Sequence, residues 1–251
     1  MRIAKEPVPG MAIIYLECRK FIRCRHHCVH NSAKIKRKRD NQTHMMLNKI
    51  KLAIILSKLK VFENPRADLE QYPTWSEIAA VMLWKCYMDG NLKTIADLGA
   101  GTGILGIGAA LLGAKKVYMV EIDENAIKIA KENQKAIEKE YGIKLPLTYI
   151  NKPISEFSTK VDTIIQNPPF GVQKEHADKE FLEKAMEISD NIYSLHKIES
   201  QNFVQKLAND RGFGLVDTIG FHFLIKRSME FHTKRIKDVK VACFVLRRKS
   251  I

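Results

Sequence analysis

Residues 94–121 constrain this chain more than any other stretch. TIADLG reads as a strand, GAGTG as a glycine-rich turn, ILGIGAALLG as a helix and KVYMVEID as a second strand. Two strands joined through a helix must run parallel, because a tight turn cannot bring the chain back to the same end of the sheet. A parallel sheet buries both faces, so helices are expected above and below it. The rest of the chain repeats the pattern. ENAIKIAKENQKAIEKEYG is a helix, PLTYIN a strand, VDTIIQNPPF a strand with an abrupt end, KEFLEKAMEISD a helix, NIYSLH a strand and SQNFVQKLANDRG a helix. GLVDTIGFHFLI and VKVACFVLRR close the chain as two β-rich segments. Ahead of the unit, NKIKLAIILSKLKVF (48–62) predicts an amphipathic helix, and a further helix is expected from Trp75 to Tyr87. The fold class is therefore α/β: a Rossmann-like, mostly parallel, seven-stranded sheet with helices on both faces.

Charge narrows the partner. The 251 residues hold 42 Lys and Arg against 28 Asp and Glu, a net +14, which favours a polyanion and nucleic acid before membrane. No apolar run approaches the ~20 residues of a membrane span. Residues 1–44 carry 11 Lys and Arg against 3 Asp and Glu. They read as a disordered basic extension to a domain covering 45–251, with Met45 or Met46 an alternative start. Five cysteines give no disulfide framework. Cys18, Cys24 and Cys28 offer zinc-type ligands at a spacing that matches no standard finger, so no metal is expected. The chain reads as cytoplasmic.

The glycine turn predicts a nucleotide-type cofactor. Gly99, Gly101 and Gly103 let backbone approach a ligand closely, and Glu121, at the end of the next strand, can accept both hydroxyls of a ribose. Gly106 completes a dinucleotide-type spacing with Gly101 and Gly103, so the glycines alone leave NAD open. Asp97 argues against it. A carboxylate there repels a pyrophosphate, whereas it suits a ligand bearing an ammonium and a sulfonium, which is S-adenosylmethionine.

A second motif sits at the same edge of the sheet. In IIQNPPFGVQ (164–173) the prolines must end the strand and hold a stiff corner. An exocyclic amine on a heteroaromatic ring is a poor nucleophile, because its lone pair is delocalised. Two fixed acceptors, the Asn167 side-chain oxygen and the Pro168 carbonyl, can hold both N–H bonds. Pro169 stiffens the corner and Phe170 can stack on the base.

ADLGAGTG, EIDENA and NPPF together resemble the class I S-adenosylmethionine-dependent amino-methyltransferases. LEQYPT (69–74), NPPFGVQKEHADKEFL (167–182), YSLHK (193–197) and MEFHTKRIKDVKVACFVLRR (229–248) resemble the methyltransferase-like 5 family, which makes N6-methyladenosine in small-subunit ribosomal RNA. The resemblance runs from about residue 46 to 248. It implies that Gln71 and Thr74 lie over the cofactor, that Gly99, Thr102 and Ile104 cradle it, that Glu121 holds its ribose, and that Asn167, Pro168, Pro169 and Phe170 form the catalytic corner. It also implies a small zinc-binding activator subunit, for which the apolar strand at 145–151, expected at an edge of the sheet, is a docking place. One departure stands out. The family has an acid after the third strand, near the cofactor's adenine amine, where this chain has Asn151 and Lys152. Asn151 can still accept a hydrogen bond there. His232, Lys234, Arg235 and Lys237 are expected to contact phosphates from a connection between strands. His196 reads as a packed, hydrogen-bonded histidine. Protein glutamine N5-methylation, guanine N2-methylation and a non-catalytic ribosome-assembly role are the competing readings.

Overall fold

The structure is a computed structural model that describes residues 47–63, 65–169, 177–226 and 236–249, with backbone alone for 67, 177, 222–226 and 236–239. The extension expected at 1–44 lies outside the described residues. One seven-stranded sheet organises the chain, in the order β3-β2-β1-β4-β5-β7-β6. The strands are β1 (Thr94–Leu98), β2 (Lys116–Glu121), β3 (Leu147–Asn151), β4 (Thr163–Gln166), β5 (Asn191–Lys197), β6 (Phe213–Lys226) and β7 (Ile236–Arg248). β1 to β5 are parallel, and β7 enters antiparallel between β5 and β6. The order turns back on itself between β1 and β4, so a cleft opens there at the carboxyl ends of the strands.

Among the described residues six α-helices cover the sheet: α1 (Lys49–Leu56), α2 (Ser76–Met88), α3 (Ile104–Leu111), α4 (Glu124–Tyr141), α5 (Ala177–Ile188) and α6 (Gln201–Asp210). On one face Leu52, Leu83, Ile107 and Ile137 pack with Ile165 and Tyr193. On the other, Leu182, Met186 and Val204 pack with Ile164 and Phe244. Successive strand residues alternate between these two cores, as a sheet buried on both faces requires. Helix α4 shows how local chemistry sets an element. Asp123 caps its first turn by accepting from the Asn125 N–H, and Gly142 ends it with φ 63°.

Two segments differ from expectation. The first helix stops at Leu56 although its apolar pattern runs on to Phe62. Asn133 of α4 holds Lys60 from both sides, accepting its N–H at 2.8 Å and donating to its carbonyl at 3.0 Å. Tertiary hydrogen bonds thus pull 58–62 off the helix and lay it across α4. The second is Lys237, expected in a connection, which falls within β7. The β6–β7 ladder continues to Lys226↔Ile236, whereas β5 pairs with β7 only as far as Lys197↔Val241. The hairpin therefore projects beyond the carboxyl edge of the sheet, on the side of the cleft.

Candidate active site

The turn after β1 is suspended from the neighbouring strand. The Gly99 and Ala100 N–H groups both donate to the Val120 carbonyl, at 2.9 and 3.0 Å. Gly101 has φ 53°, and a Cβ there would stand 3.1 Å from the Phe62 ring, so the displaced segment after α1 lies directly on the turn. Glu121 fixes the turn from below. Its carboxylate accepts from the Gly101 N–H at 2.8 Å and from the Asp123 N–H at 2.9 Å. Burial raises the Glu121 carboxyl above its usual range, and these backbone donors pull it back.

Asp97 is the chemically exposed point of this arrangement. One carboxylate oxygen accepts from the Gly106 N–H at 2.8 Å. The other has no partner, although the residue is 1% exposed and lines the cleft. Burial pushes its carboxyl up to about 7. An acceptor left bare at the wall of a cleft is a place for a cation or a strong donor. Gly106 has its own explanation here. A Cβ would lie 2.1 Å from Met119 Sδ and 3.2 Å from Asp97 Oδ2, so the third glycine of the dinucleotide-like spacing serves packing and Asp97.

A strap from Arg66 to Thr74 roofs the cleft. Gln71 accepts from the Arg66 N–H at 2.9 Å and donates to Asp123 Oδ2 at 2.7 Å. At the other end Thr74 Oγ1 accepts from Asn167 Nδ2 at 2.9 Å. The strap thus ties the end of β2 to the end of β4. Below it lies a cleft of about 320 Å³.

Gln71, Thr74, Asp97, Gly99, Gly101, Thr102, Ile104, Glu121, Asn167 and Pro169 all line this cleft. Pro168 is buried and is not part of the lining. Gly103 is not part of the lining; a Cβ there would point at Ala130, Ile107 and Met119, 3.1–3.2 Å away. Asn151 also stands outside the lining. Its amide donates to the Glu121 and Ile122 carbonyls, both at 3.0 Å, bracing the end of β2. Lys152 lines the cleft in its place, paired with Glu156 at 3.6 Å. Phe170, His232, Lys234 and Arg235 lie outside the described residues, as does the Lys237 side chain. His196 is 1% exposed, stacked on Phe244 and 2.6 Å from Ser194 Oγ, which also accepts from Gln166 at 2.9 Å. Burial holds its pKa down to about 3, so it is a neutral support beneath the corner. Among the described residues no group of three or more His, Cys, Asp or Glu side chains could hold a metal.

Sequence reasoning missed Asn133, which donates to the Thr102 carbonyl at 2.9 Å and so couples α4 to the turn. Its signal was present: Ala126, Ala130, Asn133 and Ile137 form one buried stripe of α4, and a lone amide on such a stripe needs partners. It also missed Phe62, Ile154 and Phe181, which line the cleft and were readable only as apolar.

A family model for the methyltransferase small domain matches residues 77–192, from α2 to the start of β5, and so spans both the turn and the Asn-Pro-Pro corner. The rRNA N(6)-adenosine-methyltransferase METTL5 of Danio rerio is 35% identical over 191 residues, covering 74% of this chain and 92% of its own length. The chain belongs to the METTL5 family. An uncharacterized protein of Methanocaldococcus jannaschii is 37% identical over 205 residues, covering 79% of this chain and 94% of its own. A crystal structure of a candidate RNA methyltransferase from Pyrococcus horikoshii aligns with a TM-score of 0.73 at 40% identity, covering 82% of this chain and all of that one. Membership in the METTL5 family makes the chain a class I methyltransferase with S-adenosylmethionine as cofactor. The site fits that group: Asp97 offers an unpartnered buried oxygen for an ammonium, and Glu121 a carboxylate fixed at the end of β2.

Proposed function

We propose that this chain methylates adenosine N6 in structured RNA, small-subunit ribosomal RNA being the expected substrate. The observation that carries the proposal is the tie between Thr74 and Asn167. Because Asn167 Nδ2 donates to Thr74, Oδ1 is the amide atom left to accept. It is held at the cleft wall by a strap whose far end is anchored at Asp123. S-adenosylmethionine, when bound, supplies an electrophilic methyl group on a sulfonium. Asp97 takes its ammonium and Glu121 its ribose, with Gln71, Gly99, Gly101, Thr102 and Ile104 around it. Asn167 Oδ1 and the Pro168 carbonyl accept the two N–H bonds of the adenine amine. That holds the nitrogen close to tetrahedral geometry and in line for attack. The nitrogen's surplus proton leaves to water, so the corner needs no carboxylate base.

Two features support a large RNA partner with help from a second subunit. The β6–β7 hairpin extends past the sheet on the cleft side, and the sequence there includes His232, Lys234, Arg235 and Lys237. β3 is an outer strand of the sheet, where a small zinc-binding activator can add by strand pairing.

Asn167→Ala tests the chemistry. The methylation rate should fall about 10²-fold or more, with cofactor affinity held within about threefold. A variant that methylates at the wild-type rate overturns the amine-clamp role. Mass spectrometry of the products separates the competing reactions, since N6-methyladenosine, N2-methylguanosine and N5-methylglutamine are distinct species.

A further inference from the structure

The strap holds one side chain for which the fold has no use. Gln71 and Thr74 are both committed, to Asp123 and Asn167. Between them stands Tyr72, 60% exposed and on the wall of the cleft. Among the described residues its hydroxyl has no partner. A single exposed aromatic is ordinary on a protein surface. This one is presented by a costly backbone. Glu70 is the only described non-glycine residue with positive φ, at 48°, and it is buried. That kink lets the Tyr72 N–H close back onto the Glu70 carbonyl at 2.9 Å, while the Gln71 N–H reaches the Arg66 carbonyl at 3.2 Å. Pro73 then fixes the exit. Left-handed backbone at a non-glycine residue costs about 1 kcal/mol or more and persists where surrounding structure enforces it.

The strap therefore aims a rigid aromatic face outward within two residues of the Asn167 contact, a chain distance of at most ~7 Å. A tyrosine with two side-chain torsions offers flat contact area at low entropic cost. On a chain of net +14 the flat partner that arrives with negative charge is a nucleobase on its phosphate strand. We infer that Tyr72 is a substrate-binding residue that stacks on the base flanking the methylated adenosine, holding the strand open beside the cleft. This rests on the RNA reading above.

The test uses the full chain and a pyrimidine-rich RNA oligonucleotide with a single adenosine flanked by 2-aminopurine, whose fluorescence falls when it stacks on a ring. Wild type should quench the probe. Tyr72→Ala should lose the quench and weaken oligonucleotide binding about 5- to 100-fold, with the loss appearing in the RNA KM and the cofactor Kd within twofold. Tyr72→Phe and Tyr72→Trp should retain both quench and affinity. A Tyr72→Ala protein that quenches and binds like wild type overturns the stacking role. So does one whose cofactor affinity falls as far as its RNA affinity, since the ring is then a lid on the cofactor. Failure of the RNA reading shows differently: wild type itself then neither binds nor methylates the oligonucleotide.

Discussion

Asp97 keeps its proton up to about pH 7 because it is buried with one oxygen bare. Its folded pKa lies above the unfolded one. The stabilisation from this shift is therefore complete at pH below ~4, and is lost as pH rises through about 7. Near neutrality the apo protein is thus losing stability at this residue, and a bound ammonium reverses the loss by favouring the carboxylate. Cofactor binding at pH 6.5 should then release about 0.5–0.8 proton. Calorimetry in buffers of different ionisation enthalpy measures this directly, and Asp97→Asn should abolish the release. Binding with no proton exchange in the wild type would mean that the carboxyl is already ionised and the ammonium sits elsewhere. At this scale the sequence was partly legible. A carboxylate before a glycine turn announces an attraction for cations, so Asp97 and Glu121 could be named. The Glu121 contacts to Gly101 and Asp123 could not, since they depend on how far the turn folds back over β2.

Elements that repeat a local pattern were the most legible. β1 to β5 and the helices between them follow from alternation alone, because each apolar run is long enough to choose its period. The end of α1 was not, because its apolar residues continue at helical spacing and only the distant Asn133 decides where the helix yields. β3 shows a subtler limit. Its apolar residues suggested a sticky edge, yet Leu145 is buried and the Tyr149 hydroxyl donates to Gln134 of α4 at 3.0 Å. Strand side chains point to the faces, where helices cover them, whereas an edge is made of backbone. A partner at β3 should therefore announce itself through backbone amides. If a zinc-binding activator adds to β3 as proposed, its addition should slow hydrogen exchange across 147–151 about tenfold or more and raise cofactor affinity. Unchanged exchange there, with the activator bound, would place the contact on another element.

The substrate is a property of the whole molecule, and a linear reading shows least at this scale. The cleft is assembled from the strap, the ends of β1, β2 and β4, and the start of α5, none of which is adjacent in the chain to the β6–β7 hairpin. Net charge indicated a polyanion, but only the strand register shows that the hairpin outruns β5 at the carboxyl edge where the cleft opens. If that arm grips phosphates, its charges act through counterion release and leave the chemistry untouched. Neutralising Lys234, Arg235 and Lys237 together should lower RNA affinity at low salt. It should also make the log–log salt dependence shallower by about 2 units, since each phosphate contact contributes about 0.7–0.9. Cofactor binding should be unaltered, because the proposed cofactor contacts lie at the strand ends. Titration of the full chain with RNA across a range of salt concentrations reads the slope directly. A slope equal to wild type would assign the phosphate contacts to another surface, and with them the route by which the RNA reaches the Asn167 corner.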